Sequence, residues 1–298
     1  MNKIIQFLHP GSEHDSSSGL LWNSNNHKRK FMRVIGTCVD KNDQIQNSEV
    51  YFWGEWEAQS ELLQDNLKTN KNFPNNLFRP FYNLENVGKC NTDPFVFGNQ
   101  FYYCICKQGH FKSLRGLSKD DLVLFGSHKD GDFVLDTLFV VKCETTYSSL
   151  NFGRLKELTN EVYFDVSIAP IFKKEPVNCI DLKEDKNGCI TPVDKNLDEG
   201  DKCLYSKTKG VDEYKSYEAV MYHEKEKHNR MYSFVPCSKD GAFARPIIKL
   251  PNVINPSQKQ GLKISYAQKA VVQWQAIKQQ IFEQGLCLMI ENQLPQKK

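Results

Sequence analysis

The sequence predicts an α+β chain, rich in short β-strands and ending on one amphipathic helix. Closely spaced β-prone runs broken by turn dipeptides occupy the middle of the chain. An apolar strand opens it and stops at Pro10-Gly11. Near the end, Ala267, Ala270, Val271, Trp274, Ile277 and Ile281 fall at spacings of three and four, one helical stripe.

The elements follow in order. "KIIQFL" at 3–8 is a buried strand, and the polar loop "GSEHDSSSGLLWNSNN" leads into the basic run "HKRKFMR" at 27–33. "RVIGTCV" at 33–39 and "EVYFW" at 49–53 are strands, with turn chemistry between them in "DKNDQIQNS". In "DPFVFGNQFYYCIC", Gly98-Asn99 separates two β-prone runs, and Asp130-Gly131 separates "DLVLFGS" from "FVLDTLFVV". Both are two-residue hairpin signals, and strands this close suit a sheet curled into a small barrel or sandwich. Residues 1–150 form that core in this reading. Residues 151–298 are an α+β elaboration packed on it, with short strands at 217–222 and 231–235. A charged surface loop is expected at 184–202 and a helix near 265–285, capped by Ser265 and ended by Gly285.

Composition narrows the class. At 298 residues, with 40% hydrophobic and 25% charged, the chain is a folded globular protein of one large domain or two ordinary ones. A net charge of +3 is too small to hold nucleic acid by bulk electrostatics, so any such binding needs a local patch. "MNKIIQFLHP" is too short in apolar residues for a signal-peptide core, and no run reaches the 18 or so apolar residues of a membrane span. Ten cysteines scattered without an export signal imply reduced, mostly buried thiols and a cytoplasmic location. No Walker A loop, dinucleotide fingerprint, nucleophile elbow or H-E-x-x-H is present, so no cofactor is expected.

The run from the polar turn at 117–121 through "DLVLFGS" and the hairpin into "FVLDTLFVV" resembles the strand pattern of PUA-like domains, which include ASCH, EVE and YTH modules. The likeness spans about residues 95–145. It implies a small curled β-barrel, and several such modules bind RNA or modified bases. "HPGSEH", "FWGEWE", "NTDPFVFG", "MYSFVPC" and "FARPII" resemble an uncharacterised bacterial protein family, a likeness that transfers no catalytic residue.

Candidate site residues cluster in a few stretches. If 50–57 is a strand, Tyr51, Trp53, Glu55 and Glu57 share one face, Phe52 and Trp56 the other, and Gly54 opens the first face to a flat ligand. Trp53, or Trp22, would stack a base while Glu55 or Asn91 reads its edge. Lys28 and Arg29, with Lys30 and Arg33, would hold phosphates. Asn91 and Asp93 are turn-formers before Pro94, with base-edge bonding as their sharper use. His9, Glu13, His14 and Asp15 could transfer protons or bind a divalent metal, His9 and Glu13 being the better candidates. Cys90, Cys104, Cys106 and His110 match no zinc arrangement, so no metal is expected there. Asp136, in an apolar strand, needs a hydrogen-bonded partner.

Three functions follow as expectations. The first is binding of nucleic acid or a nucleotide-like ligand by a PUA-like barrel. The second is a nuclease or glycosidic-bond hydrolase on such substrates, with His9, Glu13 and Glu55 as its acid–base groups. The third is a scaffold subunit with a protein partner in a bacterial complex. Whether the protein is an enzyme is left open by the sequence.

Overall fold

The computed structural model describes residues 1–67, 69–172, 182–184, 190–192 and 213–298. The first half supplies β1 (Asn2–Leu8), β2 (Lys30–Val39), β3 (Ile45–Gly54), β4 (Ser60–Gln64), β5 (Leu77–Tyr82), β6 (Tyr102–Tyr103), β7 (Leu122–Lys129) and β8 (Asp132–Tyr147). The second half supplies β9 (Leu182–Glu184), β10 (Ile190–Pro192), β11 (Tyr214–Ala219), β12 (Val235–Ser238), β13 (Gly261–Ala267), β14 (Cys287–Asn292) and β15 (Gln296–Lys297). Short helical turns lie between Phe152 and Phe172, and one long helix spans Ala270–Glu283. The chain is α+β and β-rich.

Two mixed sheets carry the architecture. One runs β13-β1-β7-β8-β11-β6, with β1 parallel to β7. The other runs β14-β12-β3-β2-β5-β15, with β4 on β5. Because β14 also pairs with β2, the strands β2, β3, β12 and β14 close a ring. The division near residue 150 separates no sheets: β11, β12, β13, β14 and β15 all pair with strands of the first half.

The central strands are apolar on both faces because each face meets a different core. Ile5, Phe7, Val123 and Phe125 join one cluster with Phe52, Trp56 and Phe97. Ile4, Leu8, Leu122 and Leu124 join the other with Trp53, Leu138 and the long helix. That helix buries Ala270, Trp274, Ile277 and Ile281, the predicted stripe. Full burial of such an apolar side chain contributes roughly 1.5–3 kcal/mol.

Asp130 (φ 52°) and Gly131 (φ 92°) form the turn of the β7–β8 hairpin, both in the left-handed region that a tight type I′ turn demands. The other hairpin is wider than its Gly98-Asn99 signal suggests. Phe95 and Tyr102 exchange both backbone hydrogen bonds, so the turn spans 96–101. The long helix starts five residues later than Ser265, which sits in β13 opposite Ile4. Pairing with the edge of β1 takes residues 261–267 out of the helical pattern. Gly285 (φ 78°) follows the helix end as expected. The expected loop at 184–202 lies outside the described residues except for Glu184 and Ile190–Pro192, which belong to the β9–β10 pair.

Among the described residues, Cys38, Cys90, Cys104, Cys106, Cys237 and Cys287 are free thiols. Cys143 is disulfide-bonded, a departure from the all-thiol expectation. No helix among the described residues is long and apolar enough to cross a membrane.

Gly126, in β7 beside a bulge that leaves Asp136 of β8 unpaired in the ladder, ties this scaffold to the site. Its carbonyl accepts the His9 N–H at 2.8 Å, and a Cβ there would strike the Val134 carbonyl and the Phe133 ring. Gly126→Ala is expected to destabilise by about 1–3 kcal/mol through overpacking. Chemical denaturation reads that loss, and an unchanged midpoint would show that the bulge relaxes freely.

Candidate functional site

Strand β3 ends at Gly54, and the chain runs on through Glu55, Trp56 and Glu57 without a ladder partner. Both carboxylates are buried, Glu55 at 4% exposure and Glu57 at 0%. Buried carboxylates require paired charge or hydrogen bonds. Here the basic run provides it. Arg29 donates through Nη1 to Glu55 Oε2 and through Nε to Asp136 Oδ2, each at 2.8 Å. Arg245 lies 3.5 Å from Asp136 Oδ1 and is itself held by Ser127 Oγ and the Gly11 carbonyl. The support expected for Asp136 is therefore a pair of guanidiniums.

His9 leaves the end of β1 with its ring edge-on to Phe7. Its Nδ1 is 3.0 Å from Glu55 Oε2, and its Nε2 is 3.4 Å from the Cys106 sulfur. A carboxylate at Nδ1 takes the imidazole proton there, so the Nε2 lone pair faces the thiol. Cys106 is fixed by its own turn. The buried Asp93 carboxylate accepts the N–H groups of Cys104 (2.9 Å), Ile105 (2.8 Å) and Cys106 (2.6 Å), while Lys107 turns the chain with φ 62°. The Asp93 N–H in turn donates to Glu55 Oε1 at 3.2 Å.

A second half lies on the other oxygen of Glu55. His27 Nδ1 is 3.1 Å from Glu55 Oε1 and 3.2 Å from Glu57 Oε1. His14 Nε2 stands 3.8 Å from Glu57 Oε2, and Asn23 Nδ2 donates to that same oxygen. The Cys90 thiol is close to both His27 and Glu57.

The environment sets the charges. Burial works to raise Glu55, but His27 and then His9 outweigh it and hold the carboxyl well below the usual range. Glu57 is lowered too, burial being overcome by hydrogen bonds from His14 and His27. Burial opposes protonation of His27, yet the two carboxylates win and raise it to about 11. For His9 burial wins over Glu55, and the pKa falls. Burial, then the Asp93 and Glu55 charges, push the Cys106 thiol well up. Asp93 is raised to about 6 by burial, its three backbone donors offsetting only part. At neutral pH the resting pair is thus a neutral thiol against a neutral imidazole. That pair suits base-assisted attack, in which sulfur loses its proton as it bonds.

The structure brings together His9, Arg29, Glu55 and Asp93 from the sequence candidates. Others have different roles. Trp53 has no open face: it is 4% exposed, donates to the Phe243 carbonyl at 3.0 Å, and packs between Phe31 and the Arg245 guanidinium. Gly54 admits no ligand either, since the Met32 and Phe52 side chains occupy the space beside it. Trp22 is buried with its Nε1 on the Cys90 carbonyl. Glu13 caps the 75–76 backbone by accepting from Asn75 and Asn76. Of the phosphate patch, Lys28 is partly exposed and lies 3.5 Å from Asp15, while Arg29 and Lys30 are buried. Asn91 is buried with no hydrogen-bond partner for its Nδ2 among the described residues. Cys90, Cys104 and Cys106 do not share one site: Cys104 faces the Ser167 carbonyl, Cys106 faces His9, and the Cys90 thiol donates to the Asn25 carbonyl at 2.7 Å near His27.

Sequence reasoning missed Cys106 as His9's partner, His27 as a site residue, Glu57 and Arg245. The density of carboxylates in "FWGEWE", matched by an opposite charge run at 27–33, was the available signal for His27 and Glu57. Arg245 carries none. No protein-family model matches the chain, and neither a curated protein nor a solved structure does.

Proposed function

We propose that the protein is an enzyme in which Cys106 is the nucleophile, His9 its base and Glu55 the group that fixes His9. The observation that carries this reading is the unbroken line from the Cys106 sulfur through the His9 ring to Glu55 Oε2. Its three members come from separate segments and are held by a supporting set that includes Asp93 and Arg29. The chemistry such a line performs is transfer from an ester, amide or thioester carbonyl. The sulfur bonds to the carbonyl carbon as its proton moves to His9 Nε2. That proton then leaves with the alcohol, amine or thiol, and water, activated by the same nitrogen, releases the acid and restores the thiol. This acyl chemistry differs from the expected nuclease or glycosidic-bond hydrolase: it keeps His9 and Glu55 from that set of candidates and takes Cys106 in place of Glu13.

p-Nitrophenyl acetate tests the reading. Acetylation of the native protein is expected at Cys106 by peptide mass, and His9→Ala is expected to slow it by about 10²–10⁴-fold. Acetyl spread evenly over the free thiols, or a rate indifferent to His9, would overturn it.

A second reading keeps the PUA-like barrel as a binder of nucleic acid or a nucleotide-like ligand. One observation supports it. A cleft of about 850 Å³ holds Lys298 over the Phe81 ring, with Arg33 and Arg79 each paired to a glutamate of the same cleft, Glu49 at 3.7 Å and Glu61 at 3.4 Å. Labelled single-stranded RNA is then expected to bind with a salt slope that Arg33→Glu/Arg79→Glu flattens. Binding identical in the double variant would remove this cleft from consideration.

A further inference from the structure

The second half of the centre has its own chemistry, which the thiol line does not use. His27, Glu57 and Cys90 offer a nitrogen, an oxygen and a sulfur whose ligand atoms lie within 4.8 Å of one another. We propose that these three side chains bind one divalent transition-metal ion, zinc by the nature of the donors. Nitrogen, carboxylate oxygen and thiolate together form a zinc-type set, whereas magnesium and calcium take oxygen alone.

The spacing fits. Two ligands on bonds of about 2.0 Å at a tetrahedral angle stand about 3.3 Å apart. His27 Nδ1 and Glu57 Oε1 are 3.2 Å apart, a hydrogen bond whose proton a metal ion would displace.

The ligands are also held in place without an ion. The Asn23 N–H donates to the Glu57 carbonyl (2.8 Å), the Cys90 N–H to the Asn23 carbonyl (3.2 Å), and Trp22 Nε1 to the Cys90 carbonyl (3.0 Å). The Glu57 N–H donates to Thr92 Oγ1 at 3.0 Å. These bonds lace the three ligand-bearing segments to one another. Gly88 lets them close, because a Cβ there would strike the Asn23 carbonyl and the Trp22 ring. Asn23 Nδ2 takes one oxygen of Glu57 and leaves Oε1 toward His27, the outer-shell orientation that metal-binding carboxylates use.

Three protein ligands leave one position open. The His27 side chain is 31% exposed, so the site borders solvent, and the fourth position would hold water or substrate, as in catalytic zinc sites. Glu55 links the ion to the thiol line, with Oε1 beside His27 and Oε2 on His9. An ion here would sit one carboxylate away from His9, the base of the nucleophile.

Cobalt(II) and zinc(II) added to chelator-stripped full-length protein test the proposal without any turnover. One equivalent of zinc is expected to be retained after desalting and to raise the melting temperature. Cobalt is expected to give a thiolate charge-transfer band. Cys90→Ser should abolish the band and His27→Gln should lower zinc affinity at least tenfold, while Cys106→Ser keeps both. His27→Gln is the safer variant for folding, its side chain being partly exposed. No stoichiometric zinc in the wild type, or a band that follows Cys106 instead of Cys90, overturns the site. Acetylation of Cys106 is a separate readout, so the metal site and the thiol reading can fail independently.

Discussion

Replacing Arg29 with Met is expected to remove about 3–5 kcal/mol of stability, the largest single loss from any residue of the centre. Its guanidinium is 1% exposed and donates to two different buried carboxylates, Glu55 and Asp136. Methionine fills similar volume but leaves both acids without that donor. Asp136 keeps only Arg245 at 3.5 Å, and Glu55 keeps its histidines and the Asp93 N–H. The penalty is mainly the uncompensated charge left behind, since a net hydrogen bond alone contributes only about 1 kcal/mol. Arg29→Lys is expected to recover little of it. A single ammonium cannot present the planar fork that spans both acids. The measurement is the urea midpoint, with an unchanged m-value showing that only stability moved. A loss under about 1 kcal/mol for Arg29→Met would mean that water reaches these carboxylates and that the centre is not dry.

The second large effect is a dependence on pH that comes from Lys30. This lysine is fully buried, with Nζ on the Ala58 carbonyl (2.9 Å) and Ser60 Oγ (2.8 Å) and no carboxylate in hydrogen-bond contact among the described residues. Burial pulls its pKa from 10.5 down to about 7, with Glu57 opposing. In the unfolded chain the amine is protonated below its ordinary value, and in the folded protein only below about 7. Between those limits the unfolded state holds more protons, so this lysine makes stability rise with pH. Below about 7 its contribution is flat. Between pH 7 and 9.5 the rise is on the order of 3 kcal/mol, at about 1.4 kcal/mol per pH unit. Lys30→Met should lack it. Subtracting the variant's profile from the wild type's removes the tyrosines and cysteines that titrate in both. A difference profile that stays level from pH 7 to 9.5 would show that Lys30 is solvated in the native state.

Parts of this arrangement were legible in the sequence because their causes are local. The Asp130-Gly131 turn, the β1 strand and the apolar stripe through Trp274 each depend on neighbours within a few positions. Alternation also puts Trp56 on the face opposite Trp53, and Trp56 is fully buried with its Nε1 on the Gln59 carbonyl. Trp53 shows where alternation fails. It assumes that one face of the strand is open, but both faces of β3 are covered, one by Trp56's cluster and the other by Phe243 and Arg245. The basic run was misread for a related reason. Lys28, Arg29 and Lys30 look alike as a charge run, yet β2 begins at Lys30 and the approach to it buries two of the three. Their counter-charges were in view in "FWGEWE", but a carboxylate and a guanidinium 26 positions apart leave no periodicity to detect. Cys106 and His9 are 97 positions apart, so no spacing rule connects them.

Those separations also set a timetable. Cys106 must find His9, Asp136 must find Arg29, and Arg245 must reach back 118 positions to Ser127. Contacts this distant in the chain cost more loop-closure entropy, and chains rich in them fold more slowly. During vectorial synthesis the ribosome must deliver residue 245 and its flanking strands before the ion-pair network can close. A chain ending before Arg245 lacks one of the two guanidiniums that hold Asp136. On the proposed reading, acetylation of Cys106 that depends on His9 would report that these distant segments have met.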